Sequence, residues 1–304
     1  MKILAAAKIN LYLDVIRRRD DGYHDIETFY QPVSLWDEVT MEETASGVSV
    51  EGDDASISWS EDNLCHRAAT LLVARSGVRG GVAIRVAKGI PPGAGLGGGS
   101  SDAAATLVGA NRLLGCGLSQ AELLGLATEL GSDVPFFVFG GPAVGRGRGE
   151  ILEGVPGLPG GWILIVKPEV TISTKWAYQN INLVLTRREG GATLSSLREG
   201  LHGFPDSRLS THNSFEAGVK EHFPSVSGIL ASLRAEKPVL SSLSGSGSAC
   251  FAVFRTEGEA REAARHVSGE GLFSRVVQPI DTTIRFAQVG RSGRDIARGA
   301  HGDH

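Results

Sequence analysis

Residues 91–101 read Pro-Pro-Gly-Ala-Gly-Leu-Gly-Gly-Gly-Ser-Ser, and Asp102-Ala103-Ala104-Ala105 follows at once. Gly93, Gly95, Gly97, Gly98 and Gly99 carry no Cβ, so successive backbone N–H groups can turn inward and approach a phosphate closely. The run opens into a strong helix former. Ser100, Ser101 and Asp102 are candidates to cap that helix, whose N-terminal N–H groups and dipole favour an anion. The chemistry on offer is phosphate binding, with a flexible surface loop ahead of a well-capped helix as the alternative.

The type of cradle can be narrowed. No lysine precedes Ser100 or Ser101, which removes the Gly-x-x-x-x-Gly-Lys-[Ser/Thr] loop. Gly93-x-Gly95-x-x-Gly98 satisfies the dinucleotide fingerprint, and Val82–Val86 alternates ahead of it as a strand does. Two prolines at its start and Gly-Gly-Gly-Ser-Ser at its end suit a wider nest, and no strand–helix–strand series surrounds it. A Rossmann oxidoreductase remains a formal alternative. Neither His-Arg-Asp nor Asp-Phe-Gly occurs, so a protein-kinase loop is removed.

Other residues could work beside such a loop. Lys8 projects from the polar side of an alternating segment, where a solvent-facing lysine on an edge strand is the simpler reading. Asp133 stands in Ser132-Asp133-Val134-Pro135, which also suits a helix cap with proline in the first turn. Tyr23 and His24 lie in the polar turn Asp20-Asp21-Gly22-Tyr23-His24, and an exposed tyrosine can stack on a base.

Pro91–Ser101 resembles the phosphate loop of the GHMP kinase superfamily. Ala7-Lys8-Ile9-Asn10-Leu11, Asp21-Gly22-Tyr23-His24, Gly131-Ser132-Asp133-Val134-Pro135 and Ser244-Gly245-Ser246-Gly247-Ser248 recur with it in order, over about Lys2 to Arg285. Together they narrow the resemblance to the branch that serves non-mevalonate isoprenoid (terpenoid) biosynthesis. The resemblance implies an α+β, two-domain GHMP kinase fold, with a ribosomal protein S5 domain 2-like N-terminal domain and a ferredoxin-like C-terminal domain. It implies ATP-dependent phosphorylation of the 2-hydroxyl of a small molecule, a cytidyl diphosphate-linked methylerythritol, with Mg²⁺ arriving with ATP.

By the same resemblance, Lys8 and Asp133 are the catalytic pair, and an ammonium near a carboxylate favours its charged form. Pro91, Pro92, Gly93, Ala94, Gly95, Leu96, Gly97, Gly98, Gly99, Ser100 and Ser101 would hold the nucleotide phosphates, with Asn63 and Lys88 flanking the adenine. Tyr23 and Tyr178 would sandwich the cytosine, with His24, Asn10 and Thr174 in the same pocket. Ser101 or Asp102 could touch the Mg²⁺, and Ser244–Ser248 would lie near the phosphates. Tyr178 as a core residue, Asn63 as a helix cap and Ser244–Ser248 as a hairpin turn are the plainer readings. Ala6, Asn213-Ser214-Phe215-Glu216 and Leu243 depart from the family pattern and remove no proposed catalytic group, although Ser214 takes away an acid. A homoserine- or mevalonate-type kinase and a non-catalytic nucleotide-binding protein of the same fold are the alternatives. Tyr23, His24 and Tyr178 favour a base-bearing substrate over the first, and retention of Lys8 and Asp133 argues against the second.

Composition sets outer bounds. The 304 residues, 41% of them hydrophobic, suffice for two modest domains or one large one. A net charge of -4 with scattered Lys and Arg argues against a nucleic-acid surface. Cys65, Cys116 and Cys250 lie far apart and the histidines show no ligand spacing, which disfavours a disulfide framework or a zinc site and fits a reducing compartment. Lys8, Asn10, Tyr12 and Asp14 interrupt the apolar N-terminus, so no signal peptide is expected. No apolar run approaches the roughly 20 residues of a membrane span. The cytoplasm is the expected location.

The elements that must position these residues follow from periodicity. Ile9, Leu11, Leu13 and Val15 share one side of a first strand. Further strands are expected near 29–42, 47–51 and 56–60, a helix over 63–76 ended by Gly77, helices over 101–114 and 119–130, and a short one after Asp133. Prolines and glycines in 154–161 suggest a junction, giving an N-terminal domain over 1–158, a C-terminal domain over 159–290 and a frayed tail over 291–304. The second half should hold a strand over 162–166, helices near 174–182, 212–219, 224–235 and 257–268, and strands near 238–242, 249–254 and 274–286.

Overall fold

The computed structural model describes residues 1–181, 192–206 and 209–287. Two long strands, β1 (Lys2–Arg18) and β2 (His24–Thr44), pair antiparallel along almost their whole length. β3 (Gly47–Gly52) and β4 (Gly81–Ala87) extend the sheet beyond β2, and the hairpin of β5 (Ala143–Arg146) and β6 (Ile151–Gly154) joins β2 near Thr28. A second, antiparallel sheet holds β7 (Trp162–Lys167), β8 (Leu240–Leu243), β9 (Cys250–Phe254) and β10 (Phe273–Val277) in the order β10-β7-β9-β8. The chain then returns to the first sheet as β11 (Ile284–Phe286), which pairs with β1.

α1 (Leu64–Ser76), α2 (Gly98–Leu113), α3 (Gln120–Leu130) and α4 (Val134–Phe139) pack on one another and on the first sheet. Asn63 starts α1 by accepting from Cys65 N–H, and Gly77 ends it in the left-handed conformation. α2 presents Ala103, Ala104, Ala105 and Ala110 to the core, and small side chains let it lie close to β1 and β2. In the second half come α5 (Thr174–Gln179), α6 (Leu194–Leu201), α7 (Glu216–His222), α8 (Pro224–Ala235) and α9 (Glu257–His266). β7-β8-β9-α9-β10, with α8 ahead of β8, is the ferredoxin-like arrangement, so the two-domain α+β architecture is as expected.

Irregularities in β1 decide what it offers. The pairing with β2 shifts between Ala6 and Ala7 and again between Asn10 and Tyr12. Ile3 and Ala5 therefore join the core under the helices, Ala7, Ile9 and Leu11 join a core shared with the second sheet, and Leu13 and Val15 reach a third core with α7 and α8. A bulge re-aims side chains, and such shifts commonly sit beside active sites. Lys8 is consequently no solvent-facing edge residue: β2 lies on one edge of β1 there, Leu96 O accepts the Lys8 N–H on the other, and Lys8 and Asn10 are both buried.

Three other expectations need correction. Residues 56–60 form turns, with the Asp54 carboxylate accepting from Ser56 and Asn63 Nδ2 donating to Ser58 O. Residues 212–214 run extended beside β1, with Leu13 N–H donating to His212 O and Ser214 N–H to Leu13 O, so helix α7 begins only at Glu216. The closing strand expected over 274–286 is two strands in different sheets, and the 159–290 unit gives its last strand to the N-terminal sheet. The tail at 291–304 lies outside the described residues.

Candidate active site

Lys8 is held from three sides. Its Nζ donates to Asn10 Oδ1 at 2.7 Å and to Gly95 O at 2.8 Å, and it stands 3.6 Å from Asp133 Oδ2. Asn10 is fixed in turn, its Nδ2 donating to Thr28 Oγ1, whose hydroxyl donates to Tyr12 O. Burial pushes the Lys8 ammonium below the usual lysine range, and the Asp133 carboxylate works in the other direction. A strand held on both edges fixes a side chain more rigidly than a loop does.

Asp133 comes from the start of α4 but makes no side-chain cap there. Its Oδ1 accepts from Tyr30 Oη at 3.2 Å, and Oδ2 faces Lys8. Burial first, then the charge of Asp133, push the Tyr30 phenol well above its usual range, so it serves as a donor. The Asp133 side chain is 34% exposed against 4% for Lys8, so the carboxylate is the member of the pair that a solute reaches.

Both residues line a cavity of about 1,140 Å³, which exceeds the range of roughly 300–1,000 Å³ common for single small ligands. Pro91 to Gly95 and Gly97 to Ser100 form part of its wall. α2 starts there with Gly97 as N-cap and no side-chain cap, so its first-turn donors are left to a ligand. Gly95 has φ +77°, and a Cβ there would overlap Ser244 O, because the loop packs backbone to backbone on Ser244–Ser248. Ser244 Oγ donates to Gly95 O, and Ala249 N–H to Ala94 O.

Aromatic side chains share the cavity. Tyr23 is 53% exposed and lies under Arg148, whose guanidinium carbon is 4.9 Å from the ring centroid. His24 stacks on Tyr178 at 4.7 Å between centroids, and Tyr178 meets Phe215 edge-on. Burial, followed by Arg18, pushes the His24 imidazole down. Thr174 Oγ1 lies 3.3 Å from Ser246 Oγ, joining the start of α5 to the second glycine loop.

The model of the GHMP kinases N terminal domain matches residues 63–141, and that of the GHMP kinases C terminal matches residues 192–271. The 4-diphosphocytidyl-2-C-methyl-D-erythritol kinase of Geobacter metallireducens is 40% identical over 88% of this chain and 94% of its own length. That of Syntrophotalea carbinolica is 39% identical over 91% and 98%. The chain belongs to the 4-diphosphocytidyl-2-C-methyl-D-erythritol kinase family of GHMP kinases. A crystal structure of 4-(cytidine 5'-diphospho)-2C-methyl-D-erythritol kinase superposes with a TM-score of 0.79 at 34% identity, covering 91% of this chain and 99% of that one. A homoserine kinase from Cytophaga hutchinsonii, at 19% identity and TM-score 0.69 over 94% and 96%, shares the fold.

As a GHMP kinase, the chain brings most of the expected residues to one cavity, but not all. Leu96 is buried and its carbonyl accepts from Lys8 N–H, so it anchors the loop from below. Ser101 is buried within α2. Both amide atoms of Asn63 serve the start of α1 and the preceding turn. Lys88 does line the cavity, but its ammonium, expected beside the adenine, is held by Asp37 and Asp102. The cavity also includes Arg18, Tyr30, Ile57, Ser132, Arg148 and Lys175. Tyr30 carried no sequence signal, since a tyrosine inside a buried strand reads as core. Arg148 lies in Gly147-Arg148-Gly149, a short glycine-flanked turn that could have been singled out.

Proposed function

We propose that the chain transfers the γ-phosphoryl group of ATP to the 2-hydroxyl of 4-diphosphocytidyl-2-C-methyl-D-erythritol. The observation that carries this reading is the Lys8–Asp133 pair opening into the same cavity as the uncapped start of α2 and the Tyr23, His24 and Tyr178 rings. Loose phosphoryl-transfer transition states need positioning and charge neutralisation more than covalent help. Asp133 accepts the proton of the attacking hydroxyl as the oxygen bonds to the γ-phosphorus and ADP leaves. Lys8 stabilises charge on that oxygen and on the group in transit. Backbone donors of the glycine loop and α2 hold the ATP phosphates. Mg²⁺ arriving with ATP would neutralise phosphate charge, and Ser100, the loop hydroxyl on the cavity wall, would be placed to meet it, since Ser101 and Asp102 are buried.

The cytosine takes the place of His24 on Tyr178, with Tyr23 on its other face, which frees the imidazole for the edge of the base. Stacking on an aromatic contributes about 1–3 kcal/mol per base. Tyr178→Ala should therefore raise KM for the cytidyl substrate about tenfold while Tyr178→Phe stays near wild type. An unchanged KM in the alanine variant would remove Tyr178 from the base site.

The deciding assay follows ADP formation from ATP and Mg²⁺ with the cytidyl substrate, mevalonate and homoserine in parallel. Rapid turnover with the cytidyl substrate alone supports the reading. Turnover with another alcohol overturns the cytosine site, and silence with all three overturns the kinase.

A further inference from the structure

A buried ionic unit beside the phosphate cradle has no part in the transfer step above. Asp37 lies on β2, Lys88 just after β4 and Asp102 in α2, and their side chains are 0%, 5% and 4% exposed. Lys88 Nζ donates to Asp37 Oδ2 and, at 2.7 Å, to Asp102 Oδ2. Asp37 Oδ1 accepts from the backbone N–H of Gly89 at 2.7 Å and of Ile90 at 2.8 Å, the residues that lead into Pro91. Lys88 N–H donates to Asp53 Oδ1. One ammonium thus ties β2, the start of the glycine loop and the first turns of α2 together.

Stability alone is a poor reason for this arrangement, because well-packed apolar residues commonly replace buried ion pairs without loss. Two carboxylates also share one cation. Asp37 accepts three donors, whereas Asp102 receives only Lys88 and its buried Oδ1 has no hydrogen-bond partner. Burial, then the charge of Asp37, raise the Asp102 carboxyl against the pull of Lys88. The two carboxylates outweigh burial at Lys88 and hold its ammonium above the usual lysine range. Asp102 sits in the first turns of the same helix whose uncapped N-terminus faces the cavity, so a net negative charge there would oppose a phosphate.

We infer that Asp37, Lys88 and Asp102 form a positioning unit for the nucleotide phosphates, in which Lys88 joins the glycine loop to α2 and offsets the carboxylate charge behind the anion site. The inference rests on the reading of the chain as an ATP-dependent kinase. Removing the Lys88 charge would leave both buried carboxylates uncompensated behind the anion site and would untie α2 from the start of the glycine loop.

The experiment is calorimetric titration of ATP with Mg²⁺, without second substrate and at one fixed pH, on wild type, Lys88→Met, Lys88→Arg and the double variant Lys88→Met/Asp102→Asn, each checked for a cooperative thermal melt. Lys88→Met should weaken ATP about tenfold, through the untied loop and the uncompensated carboxylates. Lys88→Arg should recover part of it, and adding Asp102→Asn to Lys88→Met should also recover part, because one of the two uncompensated charges is gone. Lys88→Met with wild-type affinity would overturn the inference. If Lys88→Met does not fold, the neutral Lys88→Gln, which keeps a donor at that place, decides by the same measure. A wild-type protein that binds no ATP would overturn the kinase reading itself, an outcome visible before any variant is compared.

Discussion

Asp133→Ala is expected to lower kcat by about 10²- to 10⁴-fold, the range for removal of a positioned general base, with ATP affinity nearly intact. The Asp133 carboxylate touches no part of the glycine loop; its partners are Tyr30 and Lys8. Lys8→Ala should cost at least about a hundredfold and adds a local effect, because Asn10 Oδ1 loses its donor and Gly95 O keeps only Ser244 Oγ. The two act on one proton transfer, so the double variant should be little worse than the poorer single one. Steady-state kinetics with separate ATP titrations check this, and unaltered turnover in either variant would remove that residue from the mechanism. The alkaline limb carries a sign as well. Burial lowers the Lys8 proton affinity and Asp133 supports it, so Asp133→Asn should move the loss of the Lys8 proton to lower pH.

The second large effect is expected at Gly95. Its φ of +77° is costly for any residue with a Cβ, and that Cβ would overlap Ser244 O, which backbone rather than a flexible side chain supplies. Gly95 O also accepts from Lys8 Nζ and Ser244 Oγ, so separating the loops displaces the catalytic ammonium. Gly95→Ala should therefore cost about 3 kcal/mol of stability, read as a melting temperature lower by about 6–12 °C. Turnover should fall further than the folded fraction explains. A variant that melts and turns over like wild type would show that the loops can part without consequence.

Sequence reading went furthest where chemistry leaves a dense local trace. The alanine-rich helix follows the glycine run as periodicity requires, and Asn63 caps α1 as the plainer of its two readings has it, but α2 begins at Gly98 on Gly97 with no side-chain cap, not on the Ser100, Ser101 or Asp102 caps expected. It misjudged what depends on partners distant in the chain. Alternation alone left a solvent-facing edge lysine open as the plainer reading of Lys8, because it cannot reveal that β2 lies on one edge of β1 there and Leu96 O accepts the Lys8 N–H on the other. Lys88, expected beside the adenine, lines the cavity, but its ammonium is held by Asp37, 51 residues away in sequence. Tyr178, expected opposite Tyr23, stacks on His24, a contact that depends on two domains meeting. The strand missed as a separate element, β11, is three residues long and pairs with the start of the chain.

That last pairing has a bearing on biosynthesis. A ribosome delivers β1 first and Ile284–Phe286 only after every strand of the second sheet, so until then the Ile3–Ala5 edge of β1 lacks its neighbour. An unpaired edge is a template for intermolecular pairing, and at about 5–20 residues per second the interval lasts roughly 15–60 s. The N-terminal half is thus exposed to aggregation throughout translation of the C-terminal half. Chains stalled before Ile284 would expose that edge to chaperones and to one another, and nascent-chain protease resistance should rise only once β11 has cleared the exit tunnel.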